Sequence, residues 1–336
     1  MKSGRVANFN NYFGGINYTM QTGTSATDFV ATINDAYGLV EKFAEQHINN
    51  VKGVNPFDGT FEDLEVANGT DIEKAVVEMA KAGAYDPDAS PDWDAPDAKF
   101  TVNYFSTWTD KQFKTKVRRN EIRKVLMQEK SAEDVAAMII NSLGLGESDA
   151  DFIEQRKAFI GSYFVDYATL TNKTPKNMTG VLYMLREMYK HLIATNNDSR
   201  KGVAVLDDLR AATPEQDVVV VLSDKLVNLI DVTELANTFN LSKEEMFGKI
   251  VTYSADDLDA AYQYIACVID KNAIIRGRRT YEYSYDRSGA GLFDVHYLTT
   301  SRLYGVCNAY KGLQLDCKTA AEAQVAELVD TVEVGG

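Results

Sequence analysis

The chain has 336 residues, 45% hydrophobic and 25% charged, with 49 acidic against 35 basic side chains and a formal net charge of −14. This composition supports one large core or two smaller ones, and its acidity argues against gripping nucleic acid through a broad electrostatic surface. Cys267, Cys307 and Cys317 are an odd set without paired spacing, which points to reduced thiols in a cytosolic setting rather than a disulfide framework.

Residues 1–10 lack the apolar stretch of a signal peptide, and no run reaches the ~20 apolar residues of a membrane span. Residues 1–24 are rich in Asn, Gly and Thr, and their aromatics Phe9, Tyr12, Phe13 and Tyr18 follow no helical or strand period. From Ser25 onward, Phe29, Ile33, Tyr37, Val40, Phe43 and His47 recur every three or four residues, which predicts a helix. His47 closes that stripe as a packed edge residue. Gly53, Pro56 and Gly59 punctuate a loop. Residues 69–81 form a short amphipathic segment with Ile72, Val76 and Met79 on one face. Residues 85–97, around Trp93, carry three prolines and five aspartates, which exclude a helix or a central strand. The segment lacks the glycine and terminal glutamate of a calcium-binding EF-hand loop, so it reads as an exposed acidic loop.

Residues 99–106 alternate like a strand and lead into a basic stretch holding Lys111, Lys114, Lys116, Arg118, Arg119, Arg123 and Lys124. No stacking array or helix-turn-helix pattern accompanies it, so it reads as a solvated or subunit-facing surface. Residues 131–134 supply a helix cap. Val135, Met138, Ile139 and Leu143 then keep helical spacing until Gly144 and Gly146, and Phe152, Phe159, Ile160, Tyr163, Tyr167 and Leu170 resume it. The glycines allow a kink or two separate helices, and Thr174–Pro175 ends the run. Residues 179–195 form an amphipathic helix through Leu182, Leu185, Tyr189, Leu192 and Ile193, with His191 solvated on or beside its polar face.

Residues 217–222 read as a strand buried on both faces. Residues 224–230 and 232–239 are spaced like short helices, and 249–253 and 264–270 like strands. Residues 276–279 read as a basic turn, and 280–285 as a half-exposed strand. A glycine turn at 288–291 leads into strand-like runs at 293–298 and 303–307, and the tail from Cys317 shows a helical pattern through Ala320, Val325 and Leu328. With only three histidines, far apart, the chain has no His-Glu-x-x-His site. It carries no Gly-x-Ser-x-Gly elbow, phosphate loop or dinucleotide fingerprint either.

The order of these elements, above all from Phe247 to Tyr253 and on to Ser301–Tyr304, resembles the C-terminal half of major capsid proteins of tailed double-stranded-DNA phages. The nearest likeness is to shell proteins of small short-tailed phages, and it extends more weakly from about Gly69 to Gly312. The resemblance implies an α+β Hong Kong 97-like capsid fold. Its expected parts are an N-terminal arm (1–24), an N-terminal helix and loop (25–68) and an extended loop (69–115), a two-stranded excursion lying over the adjacent subunit. They continue with a peripheral domain with a long spine helix (116–175), an axial domain (176–291), and a return to the peripheral domain with a C-terminal tail (292–336). The implied function is self-association as hexamers and pentamers into an icosahedral shell around packaged double-stranded DNA, held without sequence recognition. Scaffolding protein and portal are the implied partners, and the host bacterial cytoplasm the implied place of synthesis. No catalytic residue, cofactor, metal or membrane contact is expected. The subunit-interface candidates are Phe9, Tyr12, Phe13, Tyr18, Trp93, Lys111, Lys114, Lys116, Arg118 and Arg119. The acidic and basic stretches are expected to mediate contacts between subunits. Alternatives are an encapsulin-like nanocompartment shell, another virion component, or a soluble enzyme with an unrecognised site.

Overall fold

The computed structural model describes residues 55–77, 100–118, 132–194, 198–200, 212–232 and 249–333. The expected N-terminal arm with Phe9, Tyr12, Phe13 and Tyr18, the helix from Ser25 to His47, the acidic loop with Trp93, Arg119, the cap at Ser131 and the helix after Val232 lie outside them. In chain order the elements are β1 (Asp63–Glu65), β2 (Ile72–Val77), β3 (Phe100–Phe105), β4 (Trp108–Arg118), α1 (Ala132–Ile160), β5 (Val165–Asp166), α2 (Tyr167–Thr171) and α3 (Met178–Ile193). They continue with β6 (Val218–Ser223), α4 (Asp224–Val232), β7 (Lys249–Tyr253), β8 (Ile265–Asp270), β9 (Ile274–Ser288), β10 (Phe293–Val306), β11 (Gly312–Asp316) and α5 (Lys318–Glu333). The chain divides into two units. One takes its described residues from Met1–Asn55, Trp108–Phe152 and Arg278–Arg302, the other from Pro56–Thr107, Ile153–Gly277 and Leu303–Gly336.

The second unit is built on a five-stranded sheet in the order β5-β11-β8-β6-β7. β6 sits between antiparallel β8 and parallel β7, with Val220 opposite both Val268 and Ile250. Its valines suit a pleated strand because their branched side chains are stiff and pack on neighbours. Every residue of β6 and β8 is buried. On one face, Val218, Val220, Leu222, Ala266 and Val268 join Val181, Leu185, Met188 and Leu192 of α3 in the main core. On the other, the Cys267 thiol donates to the Phe159 carbonyl at 3.4 Å. Phe159 packs in turn against Phe57 and Phe61 in tilted ring pairs, with centroids 5.0 and 5.8 Å away. Each such buried side chain stabilises by about 1.5–3 kcal/mol relative to exposure. α3 begins where the Asn177 side chain accepts the Gly180 amide at 2.8 Å.

Several expectations change here. Residues 276–279 are not a turn: they lie inside the 15-residue β9. Arg276 is buried, donating to Asp58 at 3.0 Å and to the Phe61 carbonyl at 3.5 Å. The two runs at 293–298 and 303–307 belong to one 14-residue strand ending at Val306. Ile72 and Val76 stand on a strand, and the period-2 rule still places them on one face. His191 lies 2.8 Å from Asp198 and edge-on to Tyr167, rather than simply in water.

α1 runs unbroken for 29 residues through both glycines, although each glycine costs up to about 1 kcal/mol relative to alanine. At Gly146 a Cβ would stand 3.4 Å from the Phe113 ring, an ordinary contact, so the helix tolerates this glycine without the ring requiring it. The helix stops at Ile160, earlier than the apolar pattern through Leu170 implied. At Gly161 a Cβ would stand 2.5 Å from the Tyr163 ring. Tyr167 instead opens α2, capped by Asp166 accepting the Ala168 amide at 3.1 Å.

In the first unit, β10 lies between β9 and β4, and Ile139, Ile140 and Leu143 of α1 are buried. Glu147 of α1 accepts from Arg302 of β10 at 3.0 and 2.5 Å, both side chains being buried. His296 of β10 is buried with its Nδ1 2.6 Å from the Tyr283 hydroxyl. Asn55 donates to Asp151 at 3.0 Å.

Candidate assembly surfaces

β2 and β3 form a two-stranded antiparallel ribbon, with Ile72 opposite Phe105 and Val77 opposite Phe100. Alternation gives it two unlike faces. Ile72, Lys74, Val76, Thr101, Asn103 and Phe105 are buried or half-buried. On this side the Asn103 amide donates to Cys307 at 3.4 Å, and the Phe105 ring fills the space a Cβ on Gly305 would need. Glu73, Ala75, Val77, Phe100, Val102 and Tyr104 make up the opposite face and are all exposed. Phe100 is 67% exposed, Tyr104 64% and Val77 46%. With about 200 Å² per aromatic side chain, the two rings alone present roughly 260 Å². With the valines, the stripe reaches the few hundred Å² at which surface patches on monomers become functional.

β4 carries the basic residues. Lys114, Lys116 and Arg118 are exposed on one side of the strand together with Gln112. Lys116 places its ammonium 3.7 Å from the Phe293 ring centre, and Lys114 lies 5.8 Å from that of Tyr297, both on β10. Gln112 donates to Thr299 at 3.4 Å along the same seam. Lys111 is half-buried and alternates to the side of Phe113 and Thr115, where the Thr115 and Ser142 hydroxyls lie 3.1 Å apart. The ten interface candidates thus separate: Lys114, Lys116 and Arg118 share one exposed face, Lys111 lies on the other, and the remainder fall outside the described residues.

The ionisable interior is structural. Lys311 is fully buried and donates to the Leu192 carbonyl at 3.1 Å and to the Ala194 carbonyl, at the end of α3. Burial, reinforced by the Arg200 charge, pulls its pKa down to about 8. All three cysteines are buried and unpaired in disulfides, and burial pushes the Cys267 and Cys317 thiols up. A cavity of about 380 Å³ beside β2 sets Lys74, Lys271 and Glu62 against Phe61, Ile274 and Ile275. Among the described residues no group of His, Cys, Asp or Glu is placed to hold a metal ion.

Sequence reasoning placed a strand at 99–106 but read 69–81 only as an amphipathic segment, and it missed that Phe100, Val102 and Tyr104 form the outward face of the ribbon. The available signal was the alternation itself, which puts three apolar residues against Thr101, Asn103 and Phe105.

The fold is that of known phage shells. A chain of the Staphylococcus phage Andhra capsid structure matches with a TM-score of 0.58 at 11% identity, over 92% of this chain and 90% of that one. A chain from the structure of the head fibre and inner core protein of bacteriophage P68 matches with 0.55 at 10% identity, over 93% and 92%. A chain of the Cyanophage P-SCSP1u capsid matches with 0.52 at 9% identity, over 79% and 89%. At these identities the likeness shows the α+β Hong Kong 97-like fold. No curated protein matches the sequence. The family model of the Phi29-like phage major capsid proteins matches residues 17–311, most of the chain, so the chain belongs to that family and builds the shell of a phage head.

Proposed function

We propose that copies of this chain assemble as hexamers and pentamers into an icosahedral shell around packaged double-stranded DNA, with the β2–β3 ribbon of each copy lying on its neighbour. The observation that carries this reading is the exposed apolar stripe of Val77, Phe100, Val102 and Tyr104. The ribbon's inner face already lies on Cys307 and Gly305 of its own chain, so the outer stripe is the side left to meet another copy. Covering the two rings would release roughly 6 kcal/mol of gross hydrophobic free energy, of which association consumes a large part. Repetition around a closed shell makes such modest contacts cooperative.

In this reading residues 69–115 are the extended loop, 116–175 hold the spine helix of the peripheral domain and 176–291 the axial domain. Residues 292–336 return to the peripheral domain. Residues 1–24, with Phe9, Tyr12, Phe13 and Tyr18, act as an arm reaching across subunits. The role is mechanical rather than catalytic, and synthesis takes place in the host bacterial cytoplasm. Scaffolding protein and portal are the expected partners, and the chain's negative charge suits a container that does not grip the DNA moving past it.

The test is the double variant Phe100→Ser/Tyr104→Ser, scored by melting temperature and by shell yield in sedimentation and electron microscopy. Both side chains are exposed in the subunit, so melting should move little while shells are lost. A normal yield of shells would refute the ribbon's role.

A further inference from the structure

We propose that the exposed lysine pair of β4, Lys114 and Lys116, receives the acidic segment 86–97 from a neighbouring copy. The proposal rests on the reading that the ribbon lies on a neighbour, and it names what the ribbon's tip then meets.

Spacing is the first argument. Lys114, Lys116 and Arg118 recur every second residue on one side of a strand, which sets them about 7 Å apart along it. Asp86 and Asp88, and again Asp92 and Asp94, repeat at the same two-residue interval. An extended peptide with that pattern matches the row of cations pair for pair.

The aromatic seats are the second. Phe293 and Tyr297 lie under the ammonium groups of Lys116 and Lys114. A ring face under a lysine restrains a side chain that otherwise loses rotamer freedom on binding. It leaves outward N–H donors for a carboxylate. The exposed carboxylates of β9, Glu282 and Asp286, are separated from β4 by β10. That is roughly 10 Å, about one screening length at 0.1 M salt. Asp110 lies four residues before Lys114, about 13 Å along the strand.

Delivery is the third. The acidic segment joins Val77 to Phe100, which are partners at one end of the ribbon. That end stands roughly 17 Å from the Ile72–Phe105 pair, so the acidic segment is tethered to the chain at the tip of the ribbon rather than at its foot. A peptide partner also suits a chain of net charge −14 better than the DNA backbone does.

The test is a charge exchange in the full-length protein. Lys114→Glu/Lys116→Glu and Asp92→Lys/Asp94→Lys should each lower shell yield about tenfold, and combining the four substitutions should restore it to within about twofold. Should the glutamates disturb the subunit's melting, Lys114→Gln/Lys116→Gln keeps the stems over the rings. A reduced yield at wild-type melting then supports the contact, and an undiminished yield overturns it. Failure of the four-residue exchange to restore shells overturns the proposal. Normal shells that retain less DNA overturn it in favour of a nucleic-acid surface. Phe100→Ser/Tyr104→Ser is read separately. Rescue by the charge exchange with shells surviving the ribbon variant would reject the ribbon's apolar docking and keep the charge contact.

Discussion

Lys311 offers a quantitative test of the fold at one atom. Its ammonium has no solvent exposure and is met by the carbonyls of Leu192 and Ala194, with Arg200 adding repulsion and Asp198 and Asp270 partly offsetting it. Its pKa falls from 10.5 to about 8. At about 1.4 kcal/mol per pH unit, the interval corresponds to roughly 3 kcal/mol. Below pH 8 both folded and unfolded lysine are protonated, and the folded chain bears the full cost of burying the charge. Between pH 8 and 10.5 the folded lysine is neutral while the unfolded one still holds its proton. The unfolded state then binds more protons, and stability rises with pH. Tyr167, pushed up to about 12 by burial, works in the opposite sense above pH 10. The comparison therefore belongs between pH 7.5 and 10, as the difference between the wild type and Lys311→Met. Urea denaturation of unassembled subunits should show the wild type gaining about 2–3 kcal/mol on the variant across that window. Parallel pH profiles for the two proteins would refute the assignment of a buried, titrating Lys311.

Two further outcomes follow from the interior. Glu147→Ala leaves the Arg302 guanidinium buried without its carboxylate and should cost about 3–5 kcal/mol in denaturation experiments; a loss below 1 kcal/mol would show that the pair is solvated. The buried cysteines should react with iodoacetamide at pH 8 only as fast as the subunit unfolds, and reductant or chelator should leave shells intact; rapid stoichiometric labelling of the native protein, or shells dissolved by either reagent, would contradict this.

What the sequence made legible follows the strength of local pattern. The valine run of β6 and the three- and four-residue spacing of α3 each specify one conformation, and the structure has both. Arg276 misled because Arg-Gly-Arg-Arg looks like a solvated turn. Its partner, Asp58, is 218 residues away, and only the tertiary fold brings them together. The glycines of α1 misled for a similar reason: their local cost of up to about 1 kcal/mol each is outweighed by the burial of Ile139, Ile140 and Leu143 on the same helix, which only the tertiary fold supplies. At the candidate surfaces, the basic row was visible as composition. Which lysines share a face depends on β4 being a strand beside β10, and the outward set of the ribbon depends on which side Cys307 and Gly305 occupy.

Cryo-electron microscopy of particles assembled from the purified chain tests the central claim most directly. The account predicts closed shells of hexamers and pentamers in which Val77, Phe100, Val102 and Tyr104 of each copy are covered by the adjacent copy. Shells in which that stripe faces solvent, or a protein that stays dispersed under every assembly condition, would contradict it.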